Sequence, residues 1–258
     1  MKNKIILIGL LSIFTAGVQA QIGKLLKKEN VDASKKLVKA ATLSDADMAK
    51  LSLESVQWMD DNNPVGEEDD PYTIRLNKLV EGLDNEDGLD LNFKVYVVSD
   101  INAFATPDGS IRIMAGLMDL MEDDEIRSVI GHEIGHVKLG HSKARYKSAY
   151  AISAGRDLAT ANTGAGGRII SDSEMGDFME NMLNAQFSQS NESESDTYGF
   201  DFMVKHSYDY HGMEGAFNKL AELSGDDGKG SLMSSHPGSA RRAEKAKERA
   251  EAQDKKQK

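Results

Sequence analysis

Histidine, glutamate and histidine stand at positions 132, 133 and 136, inside the run Gly131-His132-Glu133-Ile134-Gly135-His136-Val137-Lys138-Leu139-Gly140-His141. Four residues of helix advance slightly more than one turn, so His132 and His136 project from one face. Two neutral imidazoles so placed can hold Zn²⁺ from one side and leave its other positions open. Glu133 lies one position along, rotated toward the edge of that face. It is too displaced to be a third ligand but near enough to reach a water on the metal. The metal lowers the pKa of that water toward neutrality, and the carboxylate takes its proton as it attacks a carbonyl. Two histidines on one helix face also occur as ordinary surface or core residues. The chemistry therefore needs a helix here and a third ligand further along.

The helix is signalled by Asp123, Asp124 and Glu125, which put acid at the positive end of the macrodipole, with Asp123 or Asp124 as N-cap. Ile126, Val129, Ile130, Glu133 and Val137 then fall on one stripe, and a carboxylate in a buried stripe is costly unless paired or near a metal. For the third ligand, Glu192 and Asp196 share a face of a helix that begins near Gln189, while Glu194 points away. Glu192 is placed to ligate, and Asp196, one turn on, to orient a ligating imidazole. His236 and Arg242 follow late in the chain, the first as an oxyanion donor and the second as partner to an active-site carboxylate.

The remaining elements read as scaffold. Residues 22–41 and a segment starting at Thr42-Leu43-Ser44 have helical spacing, as do 72–83 and 173–187. Residues 93–98 read as a strand, and Pro107-Asp108-Gly109-Ser110 joins two further strands, Asn102 to Thr106 and Ile111 to Met114, in a hairpin. An extended peptide could pair with that strand edge through Asn102, Ala103, Phe104 and Ala105. The glycine-rich stretch 163–167 is a candidate lid, and residues 243–258 read as a solvated, fraying helix. The expected class is α+β, mainly helical, with a small antiparallel sheet beside the metal helix.

Residues 1–20 have the positive start, apolar middle and small-residue cleavage site of a secretory leader. The expected divisions are that leader over 1–20, a helical segment over 21–70, the catalytic domain over 71–247 and a charged tail over 248–258. Loss of Lys2 and Lys4 with the leader reduces 31 basic residues to 29 against 42 acidic ones, a net charge of −13. Such a surface disfavours nucleic acid and anionic lipid. The absence of cysteine rules out a disulfide framework, a thiol nucleophile and a cysteine zinc site. No stretch beyond the leader is apolar enough for a transmembrane helix.

The stretches 96–105, 111–121, 131–141, 186–189, 192–196 and 236–242 together resemble the HtpX/Oma-like zinc metalloproteases, a gluzincin group that includes the CaaX prenyl proteases. Within it they are most similar to the periplasmic LoiP-like branch, which lacks a transmembrane bundle. The resemblance covers roughly residues 42–247. It implies one Zn²⁺ per chain held by His132, His136 and Glu192, with Glu133 as catalytic base. It also implies Asp196 as supporting acid, His236 and Arg242 as the downstream His-Pro…Arg element, and residues 102–105 as the approach to the edge strand at the site. That branch includes lipoproteins, whereas no lipobox cysteine is present, so a free periplasmic enzyme is expected. Its substrates would be unfolded or misfolded envelope proteins, with a further envelope protease or assembly factor as partner. The alternative is a periplasmic chaperone or assembly factor whose zinc site is latent or structural, with His141 or His236 as fourth ligand.

Overall fold

The structure, a computed structural model, describes residues 44–160, 172–223 and 232–257. The expected leader, the helix over 22–41, the glycine-rich stretch at 163–167 and residues 224–231 lie outside them.

Helix α1 (Asp45–Asn62) starts at Ser44, whose Oγ accepts from the Asp47 amide while the Asp47 carboxylate accepts from the Ser44 amide. Helix α2 (Pro71–Leu79) is capped by Asp70 and carries proline at its first position, where no amide is needed. After a 3-10 turn (Glu86–Gly88) come β1 (Asn92–Tyr96), β2 (Ala103–Ala105) and β3 (Ser110–Met114). Next are α3 (Ala115–Leu120), α4 (Asp123–Lys138), α5 (His141–Thr160), α6 (Asp172–Asn184) and α7 (Gln189–Lys205). Helices α8 (Gly212–Glu222), α9 (Leu232–Ser235) and α10 (Ser239–Gln257) complete the described chain.

The molecule is mainly helical with a small sheet, as expected, but the sheet is mixed. Its order is β1-β3-β2, with the hairpin β2–β3 antiparallel and β1 parallel to β3. The hairpin was legible because its turn residues are local. The place of β1 is set by burial: Val95 and Tyr96 enter two different cores, and residues 97–102 carry the chain across the end of β3. Alternation along the strands separates those cores. Val95, Ala103, Ala105, Ile111 and Ile113 face α2, α4, α7, α8 and α10, whereas Tyr96 and Phe104 face α1, α5 and α6. On the second face Arg112, 1% exposed, is held by Asp60 of α1 through two bonds of 2.8 and 3.0 Å.

Helix α4 is the central element. It packs most extensively on α7 and also contacts α8, α5, β2 and β3. The α4–α7 seam is made of glycine. A Cβ on Gly131 would lie 2.6 Å from Phe202 Cδ1, and one on Gly135 would meet the Ser195 Cα at 3.2 Å. The N-cap of α4 is Glu122, not Asp123 or Asp124; its amide donates to Glu125 Oε2 at 2.7 Å, which Lys219 Nζ also reaches at 2.7 Å. Helix α10 differs from the solvated tail expected. Ala243, Ala246 and Ala250 are buried, and α10 packs on α8. Alanine at that spacing gives a flat face on which two helices approach closely.

Candidate active site

His132, Glu133 and His136 are buried where α4 meets α7, with Glu133 only 1% exposed. Glu192, in the first turn of α7, points into the same space. His236, just after α9, closes it from a third side. One nitrogen or oxygen from each of His132, His136, Glu192 and His236 lies within 4.8 Å of all the others. His132 Nε2 is 2.9 Å from His136 Nε2, and Glu192 lies 3.3 Å from His136 Nε2 and 3.7 Å from His132 Nε2. His236 Nδ1 is 3.2 Å from His132 Nε2 and 3.0 Å from Glu192 Oε1.

These residues fit a metal ion. Ligands each ~2.0–2.2 Å from a shared zinc stand at about these separations. Two imidazole nitrogens pointed at one another repel unless a proton or a cation lies between them. Glu133 Oε1 and His236 Nε2 are also buried without a hydrogen-bond partner, and such groups are rare without a reason. They face each other at 3.6 Å, so the carboxylate looks across the donor cluster.

Around the cluster the polar groups are paired. Asp196 Oδ1 is 3.0 Å from His132 Nδ1, so the ring proton sits there and Nε2 faces inward as a lone pair. Arg242 grips Asp196 with Nε at 2.9 Å and Nη2 at 2.6 Å, and its Nη1 lies 2.6 Å from Glu192 Oε2. Its Nη1 also donates to the His236 carbonyl at 3.3 Å, and its guanidinium carbon lies over the Phe217 ring, 4.2 Å from the centroid. Arg241 is exposed. Phe187 stacks on His136 at 3.8 Å, with the Arg145 guanidinium over its ring.

Burial, then the neighbouring His132, pushes His136 well below the ordinary histidine range, so it is neutral at pH 7. Burial also lowers His236, against the pull of Glu192 and Glu133. Burial works against the charge of Glu192, yet the surrounding histidines, His236 first, outweigh it and hold the carboxyl far below the usual range. Burial opposes Asp196 in the same way, and Arg242 keeps its carboxyl below the usual range.

The structure brings His132, Glu133, His136, Glu192, Asp196 and Arg242 together, and Glu194 is exposed. His236, expected as a supporting residue or as a fourth ligand, has a nitrogen among the donors. His141 does not reach them; its Nδ1 faces the far nitrogen of His136 at 3.2 Å. Residues Asn102, Ala103, Phe104 and Ala105 do not meet in the donor cluster. Ala103 and Ala105 pack toward α4, Phe104 faces the second core, and all four are buried. β2 is one of the sheet's two edge strands, but its edge is partly taken. The Ala103 amide donates to Asn102 Oδ1, and the Leu232 amide to the Ile101 carbonyl, both at 2.9 Å. Phe187 was missed as a site residue, because an aromatic between two helices reads as core until its stacking partner is known.

Two histidines one turn apart on a buried helix, a glutamate from a second helix and a buried carboxylate beside them define a gluzincin-type metalloprotease domain. The comparisons agree. The model of peptidase family M48 matches residues 75–250, and the chain belongs to that family. It is 42% identical over 212 residues to the metalloprotease YcaL of Escherichia coli, covering 82% of this chain and 83% of that protein. It is 39% identical over 215 residues to the E. coli metalloprotease LoiP, covering 83% and 84%. The mitochondrial metalloendopeptidase OMA1 of Arabidopsis thaliana is 29% identical over 160 residues, 59% of this chain and 30% of that one. The chain is a metalloendopeptidase.

Proposed function

We propose that the metal is Zn²⁺, one per chain, and that the enzyme cleaves unfolded or misassembled envelope proteins in the periplasm. The observation that carries the reading is the buried His132, His136 and Glu192 set with Glu133 Oε1 facing it without a hydrogen-bond partner. Bound there, zinc supplies an acidified water and polarises the scissile carbonyl. The chain's residues do the rest. His132 and His136 present inward lone pairs, and Glu192 adds a charged oxygen, with Arg242 Nη1 2.6 Å from its Oε2. Glu133 takes the proton of the attacking water at Oε1 and returns it to the departing amide nitrogen. The periplasmic assignment rests on the leader over 1–20; among the described residues no helix is long and apolar enough to cross a membrane. Recognition rests on an extended backbone laid along the β2 edge. That requires the Asn102 and Leu232 contacts there to yield.

The deciding experiment maps cleavage of one protein in its native and denatured forms, with and without chelator. Chelator-sensitive cutting of the denatured form at loosely apolar positions is expected. Equal cutting of the native form, or a single sharp motif, would count against edge-strand recognition. The position of His236 favours one second reading, a chaperone or assembly factor with a closed four-donor site. Full zinc content without cleavage of any unfolded substrate, and no gain in His236→Ala, would support it.

A further inference from the structure

The two histidines of α4 need different partners on their outer nitrogens, and only one of those partners is a carboxylate. His132 Nδ1 has Asp196. His136 Nδ1 faces His141 Nδ1 at 3.2 Å, with the rings edge to face at 68°. His141 opens α5, one residue after Gly140, and is buried. Its other nitrogen, Nε2, lies 3.2 Å from Glu194 Oε2, and Ser190 Oγ donates to Glu194 Oε1 at 2.9 Å.

We propose that His141, held by Glu194, is the positioning residue for His136: it accepts the His136 Nδ1 proton and thereby turns the Nε2 lone pair toward the metal. The proton count leaves one arrangement. A neutral imidazole has one donor and one acceptor nitrogen. With Nε2 of His136 free to ligate, its proton is on Nδ1 and must be donated to His141 Nδ1. That nitrogen is then a lone pair, the His141 proton is on Nε2, and Glu194 accepts it. A metal-binding histidine usually gives its second ring proton to a carboxylate, carbonyl or water that fixes the tautomer and raises basicity. Here a carboxylate at the surface does so through an intervening imidazole. One turn of α7 thus supplies Glu192 to the donor cluster, Asp196 to His132 and Glu194 to the support of His136.

Two other roles for His141 fail on geometry. It is not a fourth ligand, because it lies on the side of His136 away from the donor cluster. Ser195 Oγ, also 3.2 Å from His141 Nδ1, completes an apparent Ser-His-Glu order, but Ser195 is 0% exposed in the α4–α7 seam, where no substrate reaches it.

The proposal rests on His136 being a metal ligand, so the test separates the two claims. Zinc dissociation constants from chelator competition, Co²⁺ absorption spectra and metal-free melting temperatures are measured for the full chain and its variants. His141→Leu is expected to weaken zinc about 10–100-fold. His141→Asn, whose carbonyl oxygen stands near Nδ1 as an acceptor, is expected to recover most of that loss and the wild-type Co²⁺ spectrum. Glu194→Gln, still an acceptor, stays near wild type, and Glu194→Leu shares part of the loss. If His141→Leu does not fold, His141→Phe keeps the ring volume without a nitrogen and replaces it. Wild-type affinity in His141→Leu, or equal loss in His141→Asn, overturns the positioning role. His136→Ala in the same assay tests the ligand reading. Wild-type affinity there overturns that reading and this proposal with it, whereas lost affinity there beside a silent His141→Leu overturns the positioning role alone.

Discussion

Arg242 touches both carboxylates that α7 brings to the site, and Glu133 touches neither, so their substitutions are expected to separate. In Glu133→Gln the donor set is intact while the proton acceptor is gone. Zinc content is expected to stay near one per chain while cleavage falls ~10²–10⁴-fold. Near-normal turnover with metal confirmed would refute the base assignment. Arg242→Leu leaves Asp196 and Glu192 buried beside an apolar group. Breaking such a buried pair costs about 3–5 kcal/mol, so denaturant unfolding should shift by that order. Arg242→Lys is not expected to restore it, since a single ammonium cannot take Asp196 with two parallel bonds and still reach Glu192. Glu192→Ala is expected to abolish tight zinc binding while the metal-free fold survives, which zinc titration beside circular dichroism would check.

The α4–α7 seam sets the distance between the histidines and Glu192, so its glycines govern metal binding as well as packing. A Cβ on Gly131 would lie 2.6 Å from Phe202 Cδ1. Overpacking of this kind typically costs about 1–3 kcal/mol, and here it also forces α7 away from α4. Gly131→Ala is therefore expected to lower both stability and zinc affinity. Gly140→Ala is the contrast. A Cβ there meets nothing within 4 Å, but φ is +77°, so the cost is backbone strain of about 1–2 kcal/mol. It should melt earlier with a much smaller change in affinity. Equal losses of affinity in the two variants would show that the seam is not what spaces the ligands.

Burial of the whole site makes stability depend on pH. His136 and His236 have pKa values pushed down by burial, from an ordinary value of 6.5. The unfolded chain then binds more protons than the folded one below about that pH, so stability is present above it and lost as pH falls. Each unit of depression corresponds to about 1.4 kcal/mol. The melting temperature of the metal-free protein is expected to fall between about pH 7.5 and about pH 5. Asp196 and Glu192 are also lowered, from 3.8 and 4.5, so their contribution is lost only at more acid pH. Zinc binds the folded state and competes with those same protons. Its addition should raise the melting temperature by a margin that shrinks on acidification. A melting temperature that rises toward pH 5 without metal would contradict this.

The helix that carries His132, Glu133 and His136, and the face that Glu192 shares with Asp196 but not with Glu194, were legible in the chain, because helical spacing is local and fixes which side chains share a face. The hairpin at Pro107 to Ser110 was legible for the same reason. Four things were decided only by tertiary packing. The parallel partner of β1 follows from which core buries Val95 and which buries Tyr96. The alanine face of α10 is buried against α8, a contact that nothing local to α10 encodes. His236 joins the donors, and His141 meets the outer nitrogen of His136, because α9, α4 and α5 converge there. No local pattern encodes that meeting: residues 236 and 132 are 104 positions apart, and their contact depends on every helix packed between them.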